Sequence, residues 1–463
     1  MQQQSLIQRC AQAEASLDAV RSNTLEGRVA AVSGLMVELA GLSELLATGA
    51  RVVLHTRENV SIPAEIVGFR GGHAQAMTFA AGEGLGPGSR VTAPLSIASS
   101  AGGRHGLSVA DGWIGRVVDP LGRPLDGRGA LPHGPFARPV RAPPPPATLR
   151  ARLGPRLDLN IRVLNLFTTC REGQRLGLFA GSGVGKSTLL AMLARHTACD
   201  VAVLALVGER GREVREFIED ELGIAGLARS VVVVATSDSP PLMRREAAYA
   251  AMTVAEHFRD QGKRVLLLMD SVTRFCFALR EIGLSAGEPP ATRGYPPSVF
   301  AELPRLLERA GPGLAPKPGS TAPAGSITAL FTVLVEGDDH NEPVADAARG
   351  ILDGHVILDR RIGEGGRYPA VDVLRSLSRA VPGCNDPAEN AATARARAIL
   401  SLHAEMADLV RLGAYRAGSD LAVDEAIRLA PRLNALLRQA RDEQTGLAEG
   451  FAALTAILSE VSS

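Results

Sequence analysis

The chain has 463 residues, too many for one ordinary hydrophobic core, so about two to four domains are expected. Its net charge is +1, from 50 basic and 49 acidic residues, which speaks against a dominant electrostatic role on nucleic acid or on a membrane surface. Hydrophobic residues make up 46% and aromatics only 4%, so the core must rest on Val, Leu, Ile and Ala.

The first residues, MQQQSLIQRCAQAE, lack the charged-then-apolar order of a secretory leader. Leu6, Cys10, Ala13, Leu17 and Val20 then recur at helical steps. The segment 1–24 is either a helix packed on its own domain or a detachable docking helix. Residues 25–98 carry short β-like pieces (28–32, 36–39, 51–55, 64–69 and 73–78) separated by Gly and Pro. They predict a small antiparallel barrel. Residues 99–150 read as a connecting segment that ends near the stiff proline run "APPPPA".

From 151 to 382 apolar strands are expected at 177–179, 201–207, 231–235, 265–269 and 326–335, with helices between them, for example Lys186–His196 and 241–261. This alternation predicts a parallel sheet with helices on both faces. The Gly- and Pro-rich stretch 311–326 reads as an irregular loop. Residues 383–463 read as helical: Asp386 can cap, Pro387 takes the first helical position and Glu389 closes a capping box. The most apolar runs, 201–207 and 265–269, are too short to span a bilayer. Five scattered cysteines (Cys10, Cys170, Cys199, Cys276 and Cys384) without a C-x-x-C spacing predict no disulfide frame and no zinc site. A soluble protein of a reducing, cytoplasmic compartment is expected.

The chemistry begins at "LGLFAGSGVGKSTLL". It follows a short strand and opens a helix, the context a phosphate loop needs. Gly181, Gly183 and Gly185 let backbone N–H groups converge at a helix N-terminus. Lys186 would reach the β- and γ-phosphates, and the Ser187 hydroxyl would hold Mg²⁺. The common pattern wants glycine where this chain has Ala180, but alanine serves if φ is negative there.

Two carboxylates accompany the loop. The strand "VLLLMD" ends in Asp270, which would hold Mg²⁺ through water; a strand-end aspartate is as readily a turn acid. "LALVGERGRE" ends a buried strand at Glu209, where it would orient the attacking water, with Arg210 helping to hold it. The alternative is a solvated Glu–Arg pair on a loop. Arg379 is one arginine among many by spacing.

With these segments in hand, the chain resembles the catalytic-subunit family of rotary ATPases, and within it the flagellar branch of type III protein export. "PAVDVLRSLS" (369–378) matches that family's α/β-subunit signature, and "FAGSGVGKS", "LVGERGREV", "MDSVTRF" and "GYPPSVFAELPRLLERAGPG" look like the export branch, Ala180 included. The resemblance implies a RecA-like P-loop ATPase core with a parallel sheet, a β-barrel before it and a helical domain after it. It implies that Gly181, Ser182, Gly183, Val184, Gly185, Lys186, Ser187 and Thr188 bind the phosphates of ATP. Glu209 becomes the catalytic glutamate, Asp270 the metal acid, and Arg274 a residue approaching the γ-phosphate. Tyr368 stacks on adenine and Tyr415 is the second aromatic of that pocket. Arg379 is an arginine finger serving the neighbouring subunit, which implies a homohexamer. The implied partners are a peripheral regulator on the N-terminal helix, a central coiled-coil stalk, the membrane export gate and chaperone–substrate complexes, with the protein peripheral to the inner membrane.

Three other readings share this core. The ATPase of a virulence secretion system is a close relative. A non-catalytic ring subunit would carry glutamine at position 209. A nucleic-acid translocase would want aromatics in the barrel, where 25–97 holds two Phe and no Trp or Tyr; no nucleic-acid partner is expected. Two departures from the resemblance, the long loop 311–326 and the segment "DLNIRVLNLFTTC" (158–170), touch no catalytic position.

Overall fold

A computed structural model describes residues 24–94, 106–181, 183–316, 324–335 and 342–459. The expected N-terminal helix lies outside the described residues.

Six strands close an antiparallel barrel: β1 (Thr24–Ser33), β2 (Met36–Ala40), β3 (Arg51–His55), β4 (Ser61–Arg70), β5 (His73–Thr78) and β6 (Arg90–Pro94), in the order β1-β2-β5-β4-β3-β6. Alternation sends Val52, Leu54, Ile62, Ala64 and Ile66 into its interior. The sixth strand was not expected, because "RVTAP" is short and follows a glycine-rich turn. It is the strand that closes the barrel and leaves no free edge.

The central sheet has nine strands. Its main path is β14-β13-β8-β12-β11-β9-β10-β7, built from β7 (Val117–Val118), β8 (Arg175–Ala180), β9 (Val201–Glu209), β10 (Ser230–Thr236), β11 (Arg264–Asp270), β12 (Ser326–Leu334), β13 (Gly354–Leu358) and β14 (Leu377–Ser378). Every neighbour on this path is parallel except β14 on β13. Strand β9 shows why its sequence is apolar throughout. Val201, Val203, Ala205 and Val207 enter the core on one face, and Ala202, Leu204 and Leu206 enter the other. Helices α2 (Pro241–Arg259), α3 (Val272–Ser285), α4 (Pro297–Leu307) and α5 (Pro343–Ile351) cover the first face. Helix α1 (Lys186–His196) and the C-terminal helices α6 (Pro387–Arg411), α7 (Leu421–Leu437) and α8 (Leu447–Ser459) pack on the second. The Asp386–Glu389 capping box starts α6 as expected.

The segment 99–150 is more than a connector. Its β7 pairs in parallel with β10 at the sheet edge, and Trp113 is buried with its Nε1–H donating to the Pro132 carbonyl at 2.9 Å. A two-residue strand inside a glycine-rich loop has no periodicity to betray it. Barrel and nucleotide domain meet over buried charges. Arg245 donates to Glu65 at 2.7 Å, and Arg51 reaches Glu246 at 2.7 Å and Glu65 at 3.4 Å. Among the described residues no helix is long and apolar enough to cross a membrane.

Candidate active site

The sheet register brings the chemistry to one edge. Ala180 stands opposite Leu334, and Leu206 opposite Asp270, so β8, β9, β11 and β12 end together at their carboxyl ends. A cavity of about 780 Å³ opens there, lined by the phosphate loop, Glu209, Arg210, Arg274 and Arg360 among others. Ala180 lies in extended strand, so the position needs no glycine. Gly185 does need to be glycine: it caps α1 in the left-handed region at φ 85°, and a Cβ there would meet the Tyr368 ring at 3.3 Å.

Lys186 is the centre of the site. Its Nζ donates to Asp270 Oδ1 at 2.5 Å and lies 3.5 Å from Glu209 Oε1. Burial alone would lower its pKa, but the charges of Asp270 and Glu209 outweigh burial and hold the ammonium above its ordinary value. Glu209 behaves in the opposite sense. Burial raises its pKa, Asp270 raises it further, and Lys186 and Arg274 offset only part of this. Asp270 is buried and also accepts from the Thr332 hydroxyl at 2.8 Å. Thr332 is a residue sequence reasoning missed; its place on the strand next to β11 was the only signal.

Arg274 sits in the first turn of α3, next to the left-handed Gly208 that precedes Glu209. A Cβ on Gly208 would strike the Arg274 side chain at 3.0 Å, so the glycine lets the arginine lie against the strand end. The buried Arg274 Nε–H has no partner among the described residues, which suits a group waiting for an anion.

Some expected residues stand elsewhere. Arg210 lines the cavity but points to solvent, 81% exposed and paired with Glu213 at 3.1 Å rather than with Glu209. The i,i+3 spacing at the start of a helical turn favours that partner. Thr188 lines the cavity as expected, with its hydroxyl 3.4 Å from Glu221 Oε1. Tyr368 is half exposed and lies against Gly185, beside the phosphate loop. Tyr415 does not line the cavity; its hydroxyl donates to Asp424 Oδ1 and to the Asp420 carbonyl, each at 2.9 Å. Arg379 is exposed just after the edge strand β14, where its backbone N–H donates to the Asp353 carbonyl at the amino end of β13, and it lines no part of this chain's cavity. Ser182 lies outside the described residues.

The donors present suit a magnesium ion shared with phosphates. Among the described residues no group of three or more His, Cys, Asp or Glu side chains forms a metal cage. Ser187 lines the cavity and Asp270 is bonded to Lys186, which lines it too; Mg²⁺ commonly binds through one or two protein groups, waters and substrate phosphates.

Comparison with known proteins agrees with this geometry. Residues 160–378 match the model of the ATP synthase alpha/beta family, nucleotide-binding domain, and residues 385–456 match the T3SS EscN ATPase C-terminal domain. The flagellum-specific ATP synthase of Caulobacter vibrioides is 53% identical over 96% of this chain and 98% of its own length. That of Bacillus subtilis is 46% identical over 93% and 94%. Among solved structures, the assembled ATPase EscN in complex with its central stalk EscO, from the type III secretion system of enteropathogenic E. coli, superposes with a TM-score of 0.82 at 36% identity. That superposition covers 94% of this chain and 100% of EscN. The chain therefore belongs to the ATP synthase alpha/beta family, in its branch of flagellar and type III secretion ATPases.

Proposed function

We propose that the protein hydrolyses ATP to ADP and phosphate as the motor of a flagellar protein-export apparatus. The observation that carries the reading is Lys186 held between Asp270 and Glu209 at the mouth of the phosphate loop. The loop N–H groups and the N-terminus of α1 receive the phosphates. Lys186 exchanges its carboxylate partners for the terminal phosphate oxygens and neutralises their charge. Glu209 accepts a hydrogen bond from the attacking water and takes its proton; its raised pKa makes it a stronger base than an ordinary carboxylate. Arg274 supplies a further cation beside Glu209. Ser187 and Asp270 are the residues that would hold Mg²⁺, which adds electrostatic stabilisation of the charge on the phosphates. Tyr368, next to Gly185, offers an aromatic face for the base.

Arg379 lines no part of its own cavity and sits by the amino end of β13, which supports a ring in which it completes a neighbour's site. The assembled EscN supports such an assembly, and its central stalk supports a stalk partner here. The regulator, the export gate, the chaperone–substrate partners and attachment to the inner membrane belong to the same reading.

Purified protein should release phosphate from ATP, with a rate per subunit that rises with protein concentration as rings form. In the living cell, deleting the protein should abolish filaments. Loss of effector secretion with filaments intact would favour the virulence reading, which a type 3 secretion system ATPase of Xanthomonas euvesicatoria, 45% identical over 93% of this chain, keeps in view.

A further inference from the structure

Gln439 stands two residues beyond α7, in the loop that leads to α8, and is buried. Its side chain makes three hydrogen bonds. Oε1 accepts from the Arg162 backbone N–H at 2.7 Å, and Nε2 donates to the carbonyls of Asn160 and Glu443, both at 2.9 Å. Its backbone N–H donates to the carbonyl of Tyr368 at 2.9 Å. One residue of the C-terminal domain thus holds both the segment 160–162 of the nucleotide domain and the residue whose ring lies on the phosphate loop.

The same loop is fastened a second time. Arg195, in the last turn of α1, donates to Asp442 Oδ1 and to the Arg441 carbonyl, each at 2.8 Å, and the His196 ring lies 3.0 Å from that carbonyl. Helix α1 spans about 16 Å from the phosphate loop to these residues. The loop after α7 therefore grips α1 at its C-terminal end directly and at its N-terminal end through Tyr368 and Gly185. Arg162 adds a third tie, donating to the Leu436 carbonyl at 2.6 Å and to Thr445 Oγ1 at 3.0 Å.

We infer that Gln439 is a positioning residue: its side chain fastens the loop after α7 to residues 160–162, the backbone N–H of the fastened residue holds Tyr368 beside the phosphate loop, and this sets nucleotide affinity. This rests on the reading of the cavity as an ATP site. Gln439 touches no reacting atom; it acts through Tyr368.

The test measures dissociation constants for a fluorescent ATP analogue, so it needs no turnover. Gln439→Met keeps the volume and removes the side-chain bonds. It is expected to weaken analogue binding about tenfold while kcat at saturating ATP stays within about twofold. Tyr368→Ala should weaken binding as well, and the double variant should bind no worse than Tyr368→Ala alone, because Gln439 acts only through where the Tyr368 ring is held. Additive losses, or unchanged affinity with a lowered melting temperature, would show Gln439 to be a structural latch only and overturn the inference. Should Gln439→Met fail to fold, Gln439→Glu, which keeps the acceptor for Arg162, carries the same cycle. Absence of analogue binding by the unaltered protein would instead count against the ATP site itself.

Discussion

The Lys186 ammonium, which lines the cavity at the phosphate loop, stands 2.5 Å from the buried Asp270 carboxylate. The pair keeps a buried lysine charged before substrate arrives. It also places Glu209, the proposed base, 3.5 Å from the same cation, so one exchange of partners at Lys186 would reorganise both carboxylates.

Glu209→Gln should separate binding from turnover. The amide keeps the shape and the hydrogen bond but cannot take a proton. Phosphate release should fall about 10²–10⁴-fold, the range for loss of a general base, while analogue affinity is retained. Near-normal turnover in this variant would remove Glu209 from the mechanism.

The acid side of the rate profile reports the same residue. Glu209 must be ionised to act, and its pKa lies above the ordinary 4.5. In the free enzyme kcat/KM should therefore decline, as pH falls, with a midpoint above 4.5. The Glu213 charge contributes to that rise, so Glu213→Gln should move the midpoint down slightly. A profile flat to below the ordinary carboxylate range would contradict this.

A mixing experiment distinguishes Arg379 acting across subunits from Arg379 acting within one. Arg379→Ala should reduce kcat by about 10³-fold or more if it is a finger. Mixed with Glu209→Gln protein, some interfaces gain an intact arginine from one subunit and an intact glutamate from the other. Activity should return in the mixture; a mixture as inactive as its parts would rule the arrangement out.

The barrel contact gives a stability prediction. Burial alone would raise the Glu65 pKa, but Arg245, Arg51 and Arg141 outweigh it and hold the carboxyl below its ordinary 4.5. The stabilisation from Glu65 is then complete above pH 4.5 and is lost as pH falls through the lower, folded-state value. Glu65→Gln leaves the buried Arg245 with Glu246 as its remaining carboxylate partner at 3.1 Å and should cost about 1–3 kcal/mol in thermal or denaturant unfolding at neutral pH. It should also flatten the loss of stability in acid. Equal melting temperatures for both proteins would refute the pairing.

The strands of the nucleotide domain were legible because buried parallel strands are continuous apolar runs and their turns carry glycine and acids. β8, β9, β10, β11 and β12 extend the expected segments by one to three residues or match them closely. The phosphate loop was legible from its glycines, and the capping box at Asp386 from three residue types in order. What stayed hidden depends on distant pairing. Thr332 holds Asp270 only because β12 lies next to β11, and Arg210 turns to Glu213 because a helical turn begins there. Gln439 meets Tyr368 across the domain boundary, which no local pattern encodes. Tyr415 and Arg379 were singled out by resemblance, and neither lines this chain's own cavity.

The two residues of β7 have a practical consequence. They cover the outer edge of β10, whose own sequence, SVVVVAT, is apolar and rich in β-branched residues. A fragment cut at the proline run to isolate the catalytic half would leave that edge bare. Its open N–H and C=O groups would then template pairing between copies, and such a fragment should clump in solution even with every residue of the nucleotide cavity in place.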